Sequence, residues 1–257
     1  MSSIQTAERV SHTDLSDNYV YQRSLLAYVE CAKMVHGDVL ELGTGSGYGI
    51  ELISKAAERF VTIDKFETGI DFSAYSNVEF FQMTLPDLSK FEDNSFDFVI
   101  SFQVIEHIED DEAYVREAAR VLRPGGKMII TTPNKKMSIT RNPWHIREYT
   151  IQELKTLYSK YFKEVDCRGV FGNDKIMAYY ANNKASVEKI TRFDIFNLQY
   201  RLPRFLLQVP YDILNRRNRK KLLKEDNSLV ASIKMDDYRV GEAAEGCFDL
   251  FYVSTKG

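Results

Sequence analysis

Three glycines spaced by one residue, Gly43, Gly45 and Gly47, directly follow the run Val39-Leu40-Glu41-Leu42. Between a strand and a helix, such glycines let the backbone approach a ligand closely, with a helix N-terminus beside it. A dinucleotide fingerprint needs glycines at the first, third and sixth positions. The sixth position from Gly43 is Tyr48 and from Gly45 is Ile50, so hydride transfer with a nicotinamide cofactor is disfavoured. Glu41 sets a carboxylate near the end of a buried strand, where it needs a donor or a cation to offset its desolvation. Asp64 ends the next apolar run, where an acid can take both hydroxyls of a ribose or, more plainly, cap a turn. His107 and His145 are the natural proton acceptors, since imidazole titrates near neutrality. Glu106-His107 can equally cap and pack the start of a helix, and His145 can be structural. His36 reads as helix-end punctuation, and His12 as part of an N-terminal flap.

These residues need elements to hold them. Residues 20–35 place Tyr21, Leu25, Tyr28/Val29 and Ala32 at helical spacing, ending at His36-Gly37. Strands are expected at Val39–Leu42, Phe60–Ile63, Val78–Gln82, Phe96–Phe102, Lys127–Thr131, Val165–Val170 and Phe248–Ser254. Helices are expected over about 48–58 and Asp111–Leu122, the latter stopped by Arg123-Pro124-Gly125-Gly126. Thr150 and Glu153 form a capping-box pattern that opens a helix running to about Tyr161. Strands rich in Val, Ile and Phe alternating with helices predict an α/β fold with a mostly parallel sheet covered on both faces.

The motifs resemble a known family. Glu41-Leu-Gly43-Thr-Gly45-Ser-Gly47-Tyr-Gly is similar to the first motif of class I S-adenosylmethionine-dependent methyltransferases. Asn94-Ser-Phe96-Asp97 through Gln103-Val-Ile-Glu106-His107 resembles the family's fourth strand and following turn. Ala119-Arg120-Val-Leu-Arg123-Pro124-Gly125-Gly126 resembles its helix-to-fifth-strand connection. Thr132-Pro133-Asn134 and Asn142-Pro143-Trp-His145-x-x-Glu148-Tyr are similar to a branch associated with glycan and lipid-linked sugar modification. The resemblance covers about residues 20–170 and implies a Rossmann-like sheet of seven strands, the last antiparallel, with S-adenosylmethionine as cofactor. It places Gly43, Gly45 and Gly47 against the methionine part, Glu41 near its ammonium end, and Asp64 on the ribose. Met83, Thr84 and Leu85 would flank the adenine, and Gln103 would lie beside the methionine moiety. Many relatives carry Asp where Thr84 stands, and a hydroxyl accepts a weaker hydrogen bond than a carboxylate does. The implied reaction is methyl transfer to an oxygen of a sugar, glycan or lipid-linked acceptor. Alternatives are a quinone-type or phenolic acceptor, or cofactor binding without catalysis.

The 257 residues divide into a segment 1–36, a core 37–172, an insertion 173–246 and a last strand within 247–257. The net charge of −3 conceals a contrast: residues 181–235 carry +7, and the rest carries −10. Clustered Lys and Arg beside Phe193, Ile195, Phe196, Tyr200, Phe205 and Val209 admit two readings. The stretch is either a helical subdomain with its apolar side on the core, or a lid touching a polyprenyl-phosphate or anionic membrane surface. Nucleic acid is a poor fit for a net acidic chain. Asp110, Asp111 and Glu112 match a helix first turn, where acids complement the dipole, so no metal ion is expected. Cys31, Cys167 and Cys247 lie far apart without a Cys-x-x-Cys pair. Residues 1–16 hold no apolar signal-like run, so a reducing, cytoplasmic setting is expected.

Overall fold

The computed structural model describes residues 10, 11 and 13–257; His12 and the flap it was assigned to lie outside the described residues. Helix α1 (Asn18–Ala32) precedes β1 (Asp38–Leu42), α2 (Ile50–Ala56), β2 (Arg59–Asp64), β3 (Val78–Gln82) and β4 (Phe96–Phe102). Then come α3 (Asp111–Val121), β5 (Leu122–Pro133), α4 (Ile151–Tyr158) and β6 (Glu164–Gly172). Helices α5 (Asp174–Thr191), α6 (Leu198–Arg201), α7 (Arg204–Glu225) and α8 (Asn227–Ser232) lead to β7 (Tyr238–Glu242) and β8 (Asp249–Thr255).

The strands form one sheet in the order β3-β2-β1-β4-β5-β8-β6-β7. Strands β1 to β5 run parallel, β8 is antiparallel to β5 and β6, and β7 is antiparallel to β6. The sheet therefore has eight strands rather than seven. The extra one is β7, from the end of the interval read as helical: a five-residue strand with Gly241 inside it carries too weak a pattern to announce itself. Strand β5 also begins earlier than expected, because Leu122 already pairs with Phe96 across a bulge.

Alternation along the central strands sends side chains to two cores. Leu40, Leu42, Val61, Ile63, Val99 and Met128 pack against α3 and α4 through Tyr114, Val115, Leu154 and Tyr158. Val39, Phe60, Phe98, Ile100 and Ile129 face the other side, with Leu26 and Tyr28 of α1, Ile53 of α2 and Ile176 of α5. Residues covered on both faces read as continuous apolar runs, as parallel strands do. The carboxyl ends of β1, β2, β4 and β5 thus share one edge, where an open α/β sheet binds ligands. His36 stacks edge-on against Phe98, with centroids 5.0 Å apart.

Candidate active site

The loop leaving β1 is held down by its own backbone: the Gly43 and Thr44 N–H groups donate to the Ile63 carbonyl at 2.9 and 3.0 Å. Gly43 sits at φ +98°, and a Cβ there would lie 2.5 Å from Val104 Cγ2. Gly45 sits at φ +56° with no atom within 4 Å of its would-be Cβ, so its backbone is open to approach. The Gly45 N–H donates to Asp64 Oδ2 at 3.0 Å, and the Phe66 N–H donates to Oδ1 at 3.0 Å. Each carboxylate oxygen keeps a second lone pair, the acceptor pair that a vicinal diol requires. A cleft of about 150 Å³ opens here, lined by Gly45, Ser46, Asp64 and residues 66–70, among which Ile70 approaches Gly47. Residues 66–70 carried no signal in the sequence, since they form a loop with no periodicity.

The Met83 N–H donates to the Asp64 carbonyl at 2.9 Å, which lays 83–85 beside the cleft. Met83 and Leu85 pack on the core beneath, while Thr84 is exposed. These residues fit S-adenosylmethionine: a paired acceptor for the ribose diol, a close-approach glycine loop, and a flanking strand end.

Glu41 lies beneath the loop. It is 1% exposed, and its two oxygens accept from Tyr28 Oη at 2.7 Å and Thr62 Oγ1 at 2.5 Å. The Thr62 oxygen in turn lies 2.7 Å from Thr44 Oγ1, so a hydroxyl relay links Glu41 to the glycine loop. Burial raises the Glu41 carboxyl to about 7, against the pull of the two hydroxyl donors. Tyr28 also packs on Gly49, where an added Cβ would fall 2.0 Å from its ring.

Gln103 follows β4 in the left-handed region, φ +59°. Its backbone N–H donates to the Thr131 carbonyl at 2.9 Å and its Nε2 to Thr131 Oγ1 at 3.1 Å. Three residues on, Glu106 is buried and accepts from Thr132 Oγ1 at 2.9 Å, and its carboxyl is raised by desolvation.

The two histidines meet: the His107 and His145 rings stand 5.0 Å apart, edge to face. His107 Nδ1 lies 3.1 Å from the Trp144 carbonyl, and His145 Nδ1 lies 2.7 Å from Glu148 Oε1. Both partners only accept, so each Nδ1 carries the proton and each Nε2 is the basic nitrogen. His145 Nε2 accepts from Asn142 Nδ2 at 2.8 Å. The loop bearing His145 is pinned at its ends by the Asn134–Tyr149 bridge and by the Ile146 N–H on the Glu106 carbonyl, 2.7 Å. It is covered from the insertion: Trp144 Nε1 donates to Asp212 at 3.0 Å, and Arg141 donates to the Gln199 carbonyl at 2.8 Å.

The acidic run 110–112 is structural as the sequence suggested. Asp110 caps α3 through the Ala113 N–H, Asp111 accepts from Tyr149 Oη, and Glu112 pairs with Lys160. A wider, shallow depression of about 590 Å³ lies along β6 and β7, lined by none of the loop, acid or histidine residues above.

Residues 40–130 match a family model described as a methyltransferase domain. A Mycolicibacterium smegmatis protein described as a probable S-adenosylmethionine-dependent methyltransferase is 31% identical over 253 residues, 95% of this chain and 90% of its own length. The chain belongs to the S-adenosylmethionine-dependent methyltransferases. The methyltransferase also shares 30% identity over 105 residues with a ubiquinone biosynthesis O-methyltransferase of Xanthomonas oryzae pv. oryzae, 38% of this chain and 43% of that one. Its fold matches the structure of an S-adenosylmethionine-dependent methyltransferase of Thermotoga maritima, with TM-score 0.55, 14% identity, and 93% and 92% of the two chains covered. The cofactor of this enzyme is S-adenosylmethionine.

Proposed function

We propose that the enzyme transfers a methyl group to a hydroxyl oxygen of a sugar, glycan or lipid-linked acceptor. The observation that carries this is the meeting of His107, His145 and Glu106 at the carboxyl edge of β4 and β5, one strand from the glycine loop. A sulfonium methyl needs no activation, so the protein's task is alignment and exclusion of water. An alcohol oxygen, unlike an amine, must also lose its proton near the transition state, and basic nitrogens set beside a carboxylate answer that need. Asp64 and the Gly45 backbone would hold the ribose end of the cofactor, and Gln103 would border its methionine end. The phenolic or quinone-type acceptor keeps support from the shorter Xanthomonas match, and would use the same cluster. A labelled-methyl screen over free sugars, sugar nucleotides, lipid-linked glycans and phenols separates the two. For the wild type we expect label on a sugar hydroxyl. His145→Ala should lower turnover by about 100-fold while S-adenosylmethionine affinity stays within about twofold. Equal turnover in that variant would remove His145 from the chemistry.

The insertion would bring the acceptor. Its contacts with the His145 loop, through Asp212 and Gln199, place it over the same edge. Much of its apolar surface is turned outward, not onto the core: Phe193, Ile195, Phe205 and Val209 are 73, 75, 69 and 65% exposed. Along α7 the exposed stripe Phe205, Val209, Ile213 continues at helical spacing into Arg217, Lys220 and Lys224. Apolar side chains graded into cations suit the anionic face of a membrane, on the cytoplasmic side, carrying a polyprenyl-phosphate acceptor. A second copy is the poorer occupant, because two-fold pairing would set these cations against each other.

A further inference from the structure

We infer that Glu106, His107 and His145 form a binding site for one first-row divalent cation, which takes the acceptor hydroxyl as a further ligand. The inference rests on the hydroxyl-methylation reading above and states how that cluster activates the oxygen.

One ligand atom from each residue lies within 4.8 Å of the others, brought together from the turn after β4 and the loop after β5. Each donor is backed by a group that fixes its orientation. The Nδ1–H of His107 is held by the Trp144 carbonyl, that of His145 by the Glu148 carboxylate, and one oxygen of Glu106 by Thr132 Oγ1. A carbonyl or carboxylate behind a ring N–H is the arrangement that orients ligating histidines and sharpens the basicity of Nε2. Ligand bonds of about 2.0–2.2 Å set neighbouring donor atoms roughly 3.0–3.5 Å apart, so donors already within 4.8 Å of one another reach an ion by side-chain rotation alone. The lone pair of His145 that now accepts from Asn142 Nδ2 then goes to the ion.

Two imidazoles and one carboxylate select zinc, manganese, cobalt or iron(II) over magnesium and calcium, which favour all-oxygen shells. Three protein ligands also leave positions open, which separates a catalytic site from a closed structural one. With both imidazoles given to the ion, the acceptor O–H would be acidified by the ion itself and would lose its proton to solvent as it binds, before water is excluded from the site. The oxygen lone pair then bonds to the methyl carbon as the carbon–sulfur bond breaks, and that electron pair stays on sulfur. The neighbouring acids Asp110, Asp111 and Glu112 take no part, each being engaged with the chain itself.

The test is a cobalt(II) titration of full-length, chelator-dialysed enzyme, read by visible absorption and by calorimetry. One equivalent is expected to bind. Affinity should fall at least 100-fold in His107→Ala and in Glu106→Gln, the latter keeping side-chain shape, and stay unchanged in the surface control Glu112→Gln. Each variant's S-adenosylmethionine affinity reports that it is folded. No stoichiometric binding, or equal affinity in all variants, overturns the site. Methyl transfer that persists in metal-free enzyme overturns the ion's role and leaves hydroxyl methylation standing. One bound cobalt with no transfer to any hydroxyl acceptor leaves the site standing and removes the acceptor reading.

Discussion

A carboxyl group buried as deeply as Glu41 is held here by two hydroxyls, not by a cation, and this has a measurable cost. Its ordinary value near 4.5 rises to about 7 in the fold, so the native state binds the proton more tightly than the unfolded chain. The associated stability is full below about pH 4.5 and is lost as pH rises towards 7, an effect of about 3 kcal/mol. Tyr28 and Cys31 from α1, Tyr48 from the loop and Asp64 from β2 face this site, and none supplies a compensating positive charge. Glu41→Gln keeps the shape and removes the titration. In urea unfolding, wild type should lose about 3 kcal/mol relative to the variant between pH 4.5 and pH 8. A constant difference across that range would show that Glu41 titrates normally. From sequence, the strand position of Glu41 announced a carboxylate needing partners, yet nothing in the spacing named Tyr28 or Thr62. The same holds for His145: the residue type was legible, whereas its alignment by Glu148 depends on a loop conformation that no periodicity encodes.

At the scale of elements, α1 is clamped to β8 by one buried ion pair. Arg23 Nε lies 3.0 Å from Asp249 Oδ2, the aspartate 3% exposed, with the guanidinium over the rings of Tyr19 and Phe248. Removing one partner of such a pair strands the other charge away from water. Arg23→Ala should destabilise the fold by about 3–5 kcal/mol, and Arg23→Ala with Asp249→Leu should recover much of that. Equal loss in the single and double variants would assign the effect to packing alone. The elements themselves were largely legible where local chemistry is strong. The Thr150–Glu153 capping box forms as read, Asp110 caps α3, and the parallel strands follow their Val, Ile and Phe runs. Strand β7 was not legible, because its pairing partner β6 lies 66 residues back and only Tyr238 of its five residues is buried.

For the whole molecule, the contrast between a basic stretch and an acidic remainder becomes a division of surfaces. Part of the basic charge is internal: Arg216 and Arg219 both reach Asp17, at 2.6 and 2.7 Å, and moor α7 to the start of α1. The outward cations include Arg217, Lys220 and Lys224, which lie beyond the apolar stripe of α7. Sedimentation with vesicles should show binding to anionic lipid that weakens with salt and is reduced at least tenfold in Phe205→Ser with Val209→Ser. Equal, salt-insensitive binding to neutral and anionic vesicles would end the membrane proposal. No helix among the described residues is long and apolar enough to cross a membrane. The register Gly172 to Tyr238 adds a historical consequence. It joins the two ends of the excursion like the base of a stem, so its interior can lengthen or shorten by loop closure alone, at about 0.6 kcal/mol per doubling. Such a chain can be rewritten for new acceptors over evolutionary time while the cofactor half stays as it is.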